Sequence, residues 1–233
     1  MRTIGLIGGM SWESTVPYYR QINELIKQRL GGLHSARLIL YSVDFHDLER
    51  CMHSGDWPGA GALLALAARA LELAGAQSIV LCTNTLHKVA DAIEAAVGIP
   101  LLHIVDATAR EIARDGLSKV GLLGTRITME EPFYRERLGA RHALQVLVPE
   151  QADRELIQAV IFQELCLGKV LASSRAQLQR IIGSLAAQGA QAIILGCTEL
   201  SMLIGPDDSK LPLLDTTSIH ARRAAEWALA PGH

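Results

Sequence analysis

The sequence predicts an α/β fold built twice: two pseudo-twofold-related three-layer α/β domains with mainly parallel sheets, and an active site in the cleft between them. Three observations lead there. Short apolar runs alternate with longer helical patterns along all 233 residues. Most of these runs are continuous rather than alternating, which suits strands buried on both faces of a sheet. One stretch also recurs: GAQSIVL at 75–81 and GAQAIIL at 189–195 agree at five of seven positions.

Taken in order, strands are expected at 3–7, 36–43, 78–81, 101–104, 120–123, 145–148 and 192–195. Helices are expected near 14–30, 57–74, 87–96, 106–115, 129–139, 151–166, 173–188 and 216–229. Strand–helix alternation is the pattern of a parallel sheet with helices on both sides. The 44–57 stretch, DFHDLERCMHSGDW, reads as a loop.

The repeat extends outward from its best-matched core. TIGLIGGM (3–10) resembles KVGLLGTR (119–126), and IPLLHIVDATAREIA (99–113) resembles LPLLDTTSIHARRAA (211–225). Spacings agree as well. Gly8 to Thr83 is 75 residues and Gly124 to Cys197 is 73; Thr83 to Pro100 is 17 and Cys197 to Pro212 is 15. Ordered matches of this length mark a duplicated supersecondary unit. They divide the chain into one domain of residues 1–105 plus a returning helix, 214–233, and a second of residues 106–213.

The bulk composition sets outer bounds. Hydrophobic residues make up 49% and charged residues 20%, an ordinary globular balance. With 22 basic against 24 acidic residues, neither nucleic acid nor an anionic membrane is expected as a partner. The first apolar run is a few residues long and enters glycines at once, unlike a signal peptide. The most apolar stretch, 60–76, contains Arg69 and Glu72 and is too short to span a bilayer. The four cysteines, Cys51, Cys82, Cys166 and Cys197, have no CxxC spacing, so no metal site is expected. Reduced thiols and a cytoplasmic location follow as expectations.

Alignment through the repeat pairs Cys82 with Gly196, Thr83 with Cys197, and Asn84 with Thr198. Each set lies just past the carboxyl end of a strand, where open α/β sheets bind ligands. A small molecule between two facing units would meet Thr83 from one side and Cys197 from the other. Cys197 stands where a strand gives way to a helical start. Unpaired N–H groups there favour thiolate and lower a thiol pKa, the other reading being a buried structural thiol. Asn84, Thr85 and Thr198 offer short polar groups for a carboxylate, or for the enediolate formed when a Cα proton leaves. Asn84 and Thr85 also suit capping of the helix near His87, and His87 itself reads as a structural hydrogen-bonding group. GLIGGM lacks the GxGxxG spacing, so no dinucleotide is expected.

These motifs carry a resemblance. IGLIGGMS at 4–11, Asn84-Thr85-x-His87, LLGTRITM at 122–129 and LGCTEL at 195–200 are similar to those of the aspartate/glutamate racemases that work without pyridoxal phosphate, over nearly the whole chain. Glu199 after Cys-Thr resembles the aspartate racemase branch. LCTNTLH and GGMSWEST resemble the bacterial branch acting on L-aspartate and L-glutamate, or more broadly on amino acids. The resemblance implies a small amino-acid substrate, no cofactor, a homodimer and a two-base mechanism. In that mechanism one thiolate removes the Cα proton and a thiol on the opposite face returns one.

One position departs from the pattern. Where the family has its first cysteine, directly before Asn84, this chain has Thr83. Cys82 is one residue earlier and points to the other face of its strand. The expectation is an asymmetric racemase, with Cys197 as the competent base and Thr83, or water held by it, as the opposing proton donor. Met10 and Thr125 are expected on the cleft floor, and Met52 at a position contacting the substrate side chain. Lys169 resembles a family position that holds a substrate carboxylate. Arg50 either pairs with a distal carboxylate or sits in solvent. The alternatives are a binding protein that lost turnover with its first cysteine, and a related cysteine-dependent isomerase of the hydantoin racemase or maleate isomerase type.

Overall fold

A computed structural model describes residues 1–231; the last two residues of the expected 214–233 segment lie outside the described residues. The chain forms two compact units. Unit 1 comprises Met1–Ile104 with the chain from His220 onward, and unit 2 comprises Val105–Ile219.

Unit 1 runs β1 (Ile4–Gly8), α1 (Trp12–Leu30), β2 (Leu38–Ser42), α2 (Phe45–Ser54), α3 (Trp57–Leu73), β3 (Ser78–Leu81), a 3₁₀ turn at Thr85–Val89 and α4 (Ala90–Glu94). α5 (Ile104–Arg114) then leads into unit 2. There follow β4 (Lys119–Gly124), α6 (Arg126–Glu130), α7 (Pro132–His142), β5 (Gln145–Leu147), α8 (Gln151–Gln163), α9 (Ala172–Ala187), β6 (Ala192–Gly196), α10 (Leu200–Leu203) and β7 (Leu213–Asp215). α11 (Thr216–Leu229) returns the chain to unit 1. The sheets have orders β2-β1-β3 and β5-β4-β6-β7, and every pairing among the described strands is parallel.

The duplication is visible in the register. Ile4 pairs with Ser78 as Val120 pairs with Ala192, and Ile7 with Leu81 as Leu123 with Leu195. The repeated residues also do the same work twice. Gly75 and Gly189 end their helices at φ +95° and +94°, a conformation open to glycine. The Gln77 amide N–H donates to the Thr3 carbonyl, and the Gln191 amide N–H to the Lys119 carbonyl. Each glutamine side chain also accepts from the neighbouring strand, Gln77 from Thr3 N–H and Gln191 from Lys119 N–H. GAQ recurs because both units need a left-handed exit followed by a side chain that bridges two strand starts.

Strand parity sorts the unit 1 core into two layers. Ile4, Leu6, Val80 and Cys82 pack with α1 and the alanine face of α11, formed by Ala221, Ala224, Ala225 and Ala228. Ile7, Ile79 and Leu81 pack with α2, α3 and α4.

Four expectations need correction. Residues 101–104 are not a strand. Leu101 makes one isolated bridge to Ile79, and Ile104 already opens α5. The counterpart in unit 2 does form a strand, β7, which the sequence reading did not anticipate. The 44–57 loop contains α2, capped by Asp44, whose side chain accepts from His46 N–H at 3.0 Å. Its apolar face of Phe45, Leu48 and Met52 recurs at helical spacing inside a polar sequence, which is why it read as a loop. Finally, residues 214–219 belong with unit 2, because β7 pairs with β6 and the Thr216 hydroxyl donates to the Leu195 carbonyl at 2.8 Å.

Candidate active site

The two residues expected to act, Thr83 and Cys197, lie just past the carboxyl ends of β3 and β6. In unit 1, the chain leaves β3 through Cys82 and turns sharply. The Thr83 N–H bonds the Leu81 carbonyl at 2.9 Å and the His87 N–H bonds the Asn84 carbonyl at 3.1 Å. Thr83 and Thr85 are half-buried and Asn84 is buried. Asn84 makes no side-chain capping bond to the 3₁₀ turn, so the capping reading fails for it. Cys82 sits on the α1/α11 side, fully buried, and burial pushes its thiol far up. It is a core residue and does not replace a thiol at position 83.

Met10 follows Gly9, whose φ of +93° and close approach to the Val43 backbone admit no side chain. Both Met10 and Met52 pack into the apolar cluster around Leu48 and Leu64, Met10 buried and Met52 at its margin. Arg50, on the same helix as Met52, is exposed.

In unit 2, Cys197 follows Gly196 at the end of β6. Gly196 leaves no room for a substituent, since a Cβ there would stand 2.9 Å from the Leu123 carbonyl oxygen. Gly124 pairs with Gly196, which brings Thr125 alongside the start of the Cys197 turn. Thr125 caps α6 through its bond with the Thr128 N–H. Thr198 receives a hydrogen bond from the Thr217 hydroxyl at 3.3 Å. Lys169 is exposed, and its N–H bonds the Glu164 carbonyl.

The surroundings of Cys197 work against the expected thiolate. α10 is four residues long and supplies no developed helix end. The thiol donates to Glu199 Oε2 at 2.9 Å. Burial first, then the Glu199 carboxylate, push the Cys197 thiol well above its ordinary pKa. At rest the group is a protonated thiol with its proton aimed at a carboxylate. Glu199 is therefore a functional candidate that the sequence reading used only as a branch marker. The available signal was its place two residues after the cysteine, within reach of it across one tight turn.

The chain matches the family model described as Asp/Glu/Hydantoin racemase over residues 7–224. It is 25% identical to the broad specificity amino-acid racemase RacX of Bacillus subtilis, in an alignment covering 97% of this chain and 98% of RacX. Among solved structures, a Yersinia pestis protein assigned as an Asp/Glu racemase is 56% identical, with a TM-score of 0.96 over 99% of this chain and 100% of that one. An aspartate racemase homologue from Pyrococcus horikoshii OT3 is 35% identical, with a TM-score of 0.87 over 99% and 100% of the two chains. A repeated parallel α/β unit, a thiol at one strand end and a whole-length match agree: the chain belongs to the Asp/Glu/hydantoin racemase family.

Proposed function

We propose that this amino-acid racemase, which works without pyridoxal phosphate, inverts its substrate with unequal groups: Cys197 removes the Cα proton from one face, and a proton returns from the Thr83 side of the other. The observation that carries this is the Cys197–Glu199 pair. Transfer of the thiol proton to Glu199 leaves a thiolate, which takes the Cα proton. The electron pair moves into the substrate carboxylate as an enediolate, held by Asn84, Thr85 and Thr198. The Thr83 hydroxyl, or water held by it, then protonates Cα on the opposite face, and the alkoxide or hydroxide left behind is neutralised through solvent as Glu199 gives up the proton it took. Run backwards, the first step needs Thr83 as a base, and a hydroxyl is a very poor one at neutral pH. Initial rates therefore differ between enantiomers, while the final mixture is racemic. Aspartate and glutamate are the first substrates to test, and the match to RacX adds a wider amino-acid panel.

The test is Cα–H exchange in deuterated water from each enantiomer. Exchange that is lost in Cys197→Ala, with unequal initial rates from L and D substrate, supports the proposal. Equal rates refute the asymmetry, and saturable binding without exchange favours the binding-protein alternative.

We take the working form to be a homodimer in the cytoplasm. The four cysteines are free, which suits a reducing compartment. A self-pairing surface is available on unit 1. β2 is an edge strand without Lys or Pro, and Leu40 and Tyr41 on it are exposed. Trp12, Val16 and Tyr19 of α1 are also exposed, at helical spacing. Glu13 and Arg20 flank Val16, so an antiparallel second copy would set opposite charges together. A Leu40→Lys variant should halve the mass in solution; an unchanged mass rules this surface out.

A further inference from the structure

The chain passes between the units at Ile104–Val105 and at Ile219–His220. The unit 1 side of both crossings is held by three buried histidines, His87, His103 and His220. The His87 ring lies 4.4 Å from that of His103 and 5.8 Å from that of His220. The partners of His87 fix its tautomer. The Ile104 N–H can only donate, and it meets His87 Nε2 at 3.2 Å. The Thr83 carbonyl can only accept, and it meets His87 Nδ1 at 2.7 Å. His87 is thus a neutral ring with its proton on Nδ1. Both ring nitrogens are engaged with the backbone, one with the turn that carries Thr83 and the other with the first residue of α5.

Unit 2 solves the same mechanical problem differently. Leu213 bridges Ile193 as Leu101 bridges Ile79, so Thr216 at the start of α11 corresponds to Ile104 at the start of α5. There the helix start reaches the site strand directly, Thr216 donating to the Leu195 carbonyl and Thr217 to the Thr198 hydroxyl. Ile104 and Val105 carry no hydroxyl. In unit 1 a histidine ring spans the gap.

We infer that His87 is a positioning residue for the proton-returning side: it ties the Thr83 turn to the start of α5, seventeen residues on, and so sets where the Thr83 hydroxyl stands. The inference rests on the proposed role of Thr83. The turn is also closed locally by two backbone bonds, from Thr83 N–H to the Leu81 carbonyl and from His87 N–H to the Asn84 carbonyl. Misplacement of a reacting group by an ångström costs on the order of 10²-fold in rate.

Two variants separate the two bonds. His87→Asn keeps a donor near the Nδ1 position for the Thr83 carbonyl, and His87→Gln keeps an acceptor near the Nε2 position for the Ile104 N–H. The readout is the ratio of inverted product to Cα deuterium incorporated, from the enantiomer that Cys197 deprotonates. A loss of general stability lowers both quantities together. Loss of the Thr83 tie lowers the ratio alone. His87→Gln should reduce the ratio about tenfold or more, toward that of Thr83→Ala, with Cys197-dependent exchange intact. His87→Asn cuts the bridge at its Ile104 end and should lower the ratio as well; a wild-type ratio there would show that the link to α5 carries nothing. A wild-type ratio in His87→Gln overturns the inference. Absence of Cys197-dependent exchange in the wild type overturns the catalytic proposal and this one with it. A measurement without turnover stands beside these: nitrogen NMR of ¹⁵N-histidine-labelled wild-type protein should show His87 protonated at Nδ1 and not at Nε2. The opposite tautomer refutes the tie even if both variants misfold.

Discussion

At the end of β3 the chain reads Leu81-Cys82-Thr83, and at the end of β6 it reads Leu195-Gly196-Cys197. The register is the same, since Leu81 pairs with Ile7 as Leu195 pairs with Leu123. The surroundings are not. In unit 1 the penultimate position is a cysteine sunk in the α1/α11 core, and the last is a hydroxyl. In unit 2 the penultimate position tolerates only glycine, and the last is a thiol against Glu199. Duplication preserved the backbone and let the chemistry diverge. The two strand ends serve as each other's control.

The largest effect should come from removing the thiol. Cys197→Ala is expected to lower Cα deuterium exchange by roughly 10²–10⁴-fold, the usual worth of a positioned acid–base group. Exchange above a tenth of the wild-type rate would show that the two ends are not so unequal. Next is Thr83→Cys, which makes both ends thiols. The slower enantiomer should accelerate about tenfold to a hundredfold and the ratio of initial rates should approach one; an unchanged ratio would locate the asymmetry elsewhere.

The aligned helix starts differ too, with Asp106 in α5 where α11 has Ser218. Burial opposes the Asp106 charge, but bonds from Arg137 and His142 hold its pKa down to about 2. A depressed carboxylate stabilises the fold above its unfolded pKa and loses that contribution as pH falls. The contribution is about 2 kcal/mol at neutral pH, fading between about pH 4 and pH 2. Urea midpoints should therefore separate wild type from Asp106→Asn at pH 7 and converge near pH 2. Separation that persists at low pH would mean the carboxylate charge is not what matters.

Glu199→Gln should act in two directions. Removing the carboxylate lowers the Cys197 pKa, so alkylation of that thiol at a fixed pH should quicken. Losing the proton acceptor should slow turnover about tenfold. Both rates falling together would indicate only a disturbed turn. The smallest effects belong to the repeated glutamines. Gln77→Ala and Gln191→Ala should each cost about 1 kcal/mol in chemical denaturation. Gln191 should cost more, because its side-chain oxygen accepts from both Ser118 N–H and Lys119 N–H. Equal losses would show that the extra bond carries nothing.

Some of this was written plainly in the sequence. The continuous apolar runs announced two-sided burial, and the repeated GAQ announced the duplication. Equal spacing from those motifs sets Thr83 against Cys197 in register. Other features were hidden for identifiable reasons. α2 buries a narrow stripe, and its polar residues outnumber it. β7 is three residues long and differs from residues 101–104 only in whether the chain continues the ladder or turns into a helix.

By itself the sequence determined the fold class, the duplication and the residue standing at each strand end, because periodicity and motif spacing are properties of the chain. Tertiary structure decided the chemical state of those residues. Whether Cys197 rests as thiol or thiolate depends on its burial and on where Glu199 folds back, and the tautomer of His87 depends on Ile104, seventeen residues away. A pKa and a tautomer are set by dielectric and by partners in space, and neither is carried by local sequence.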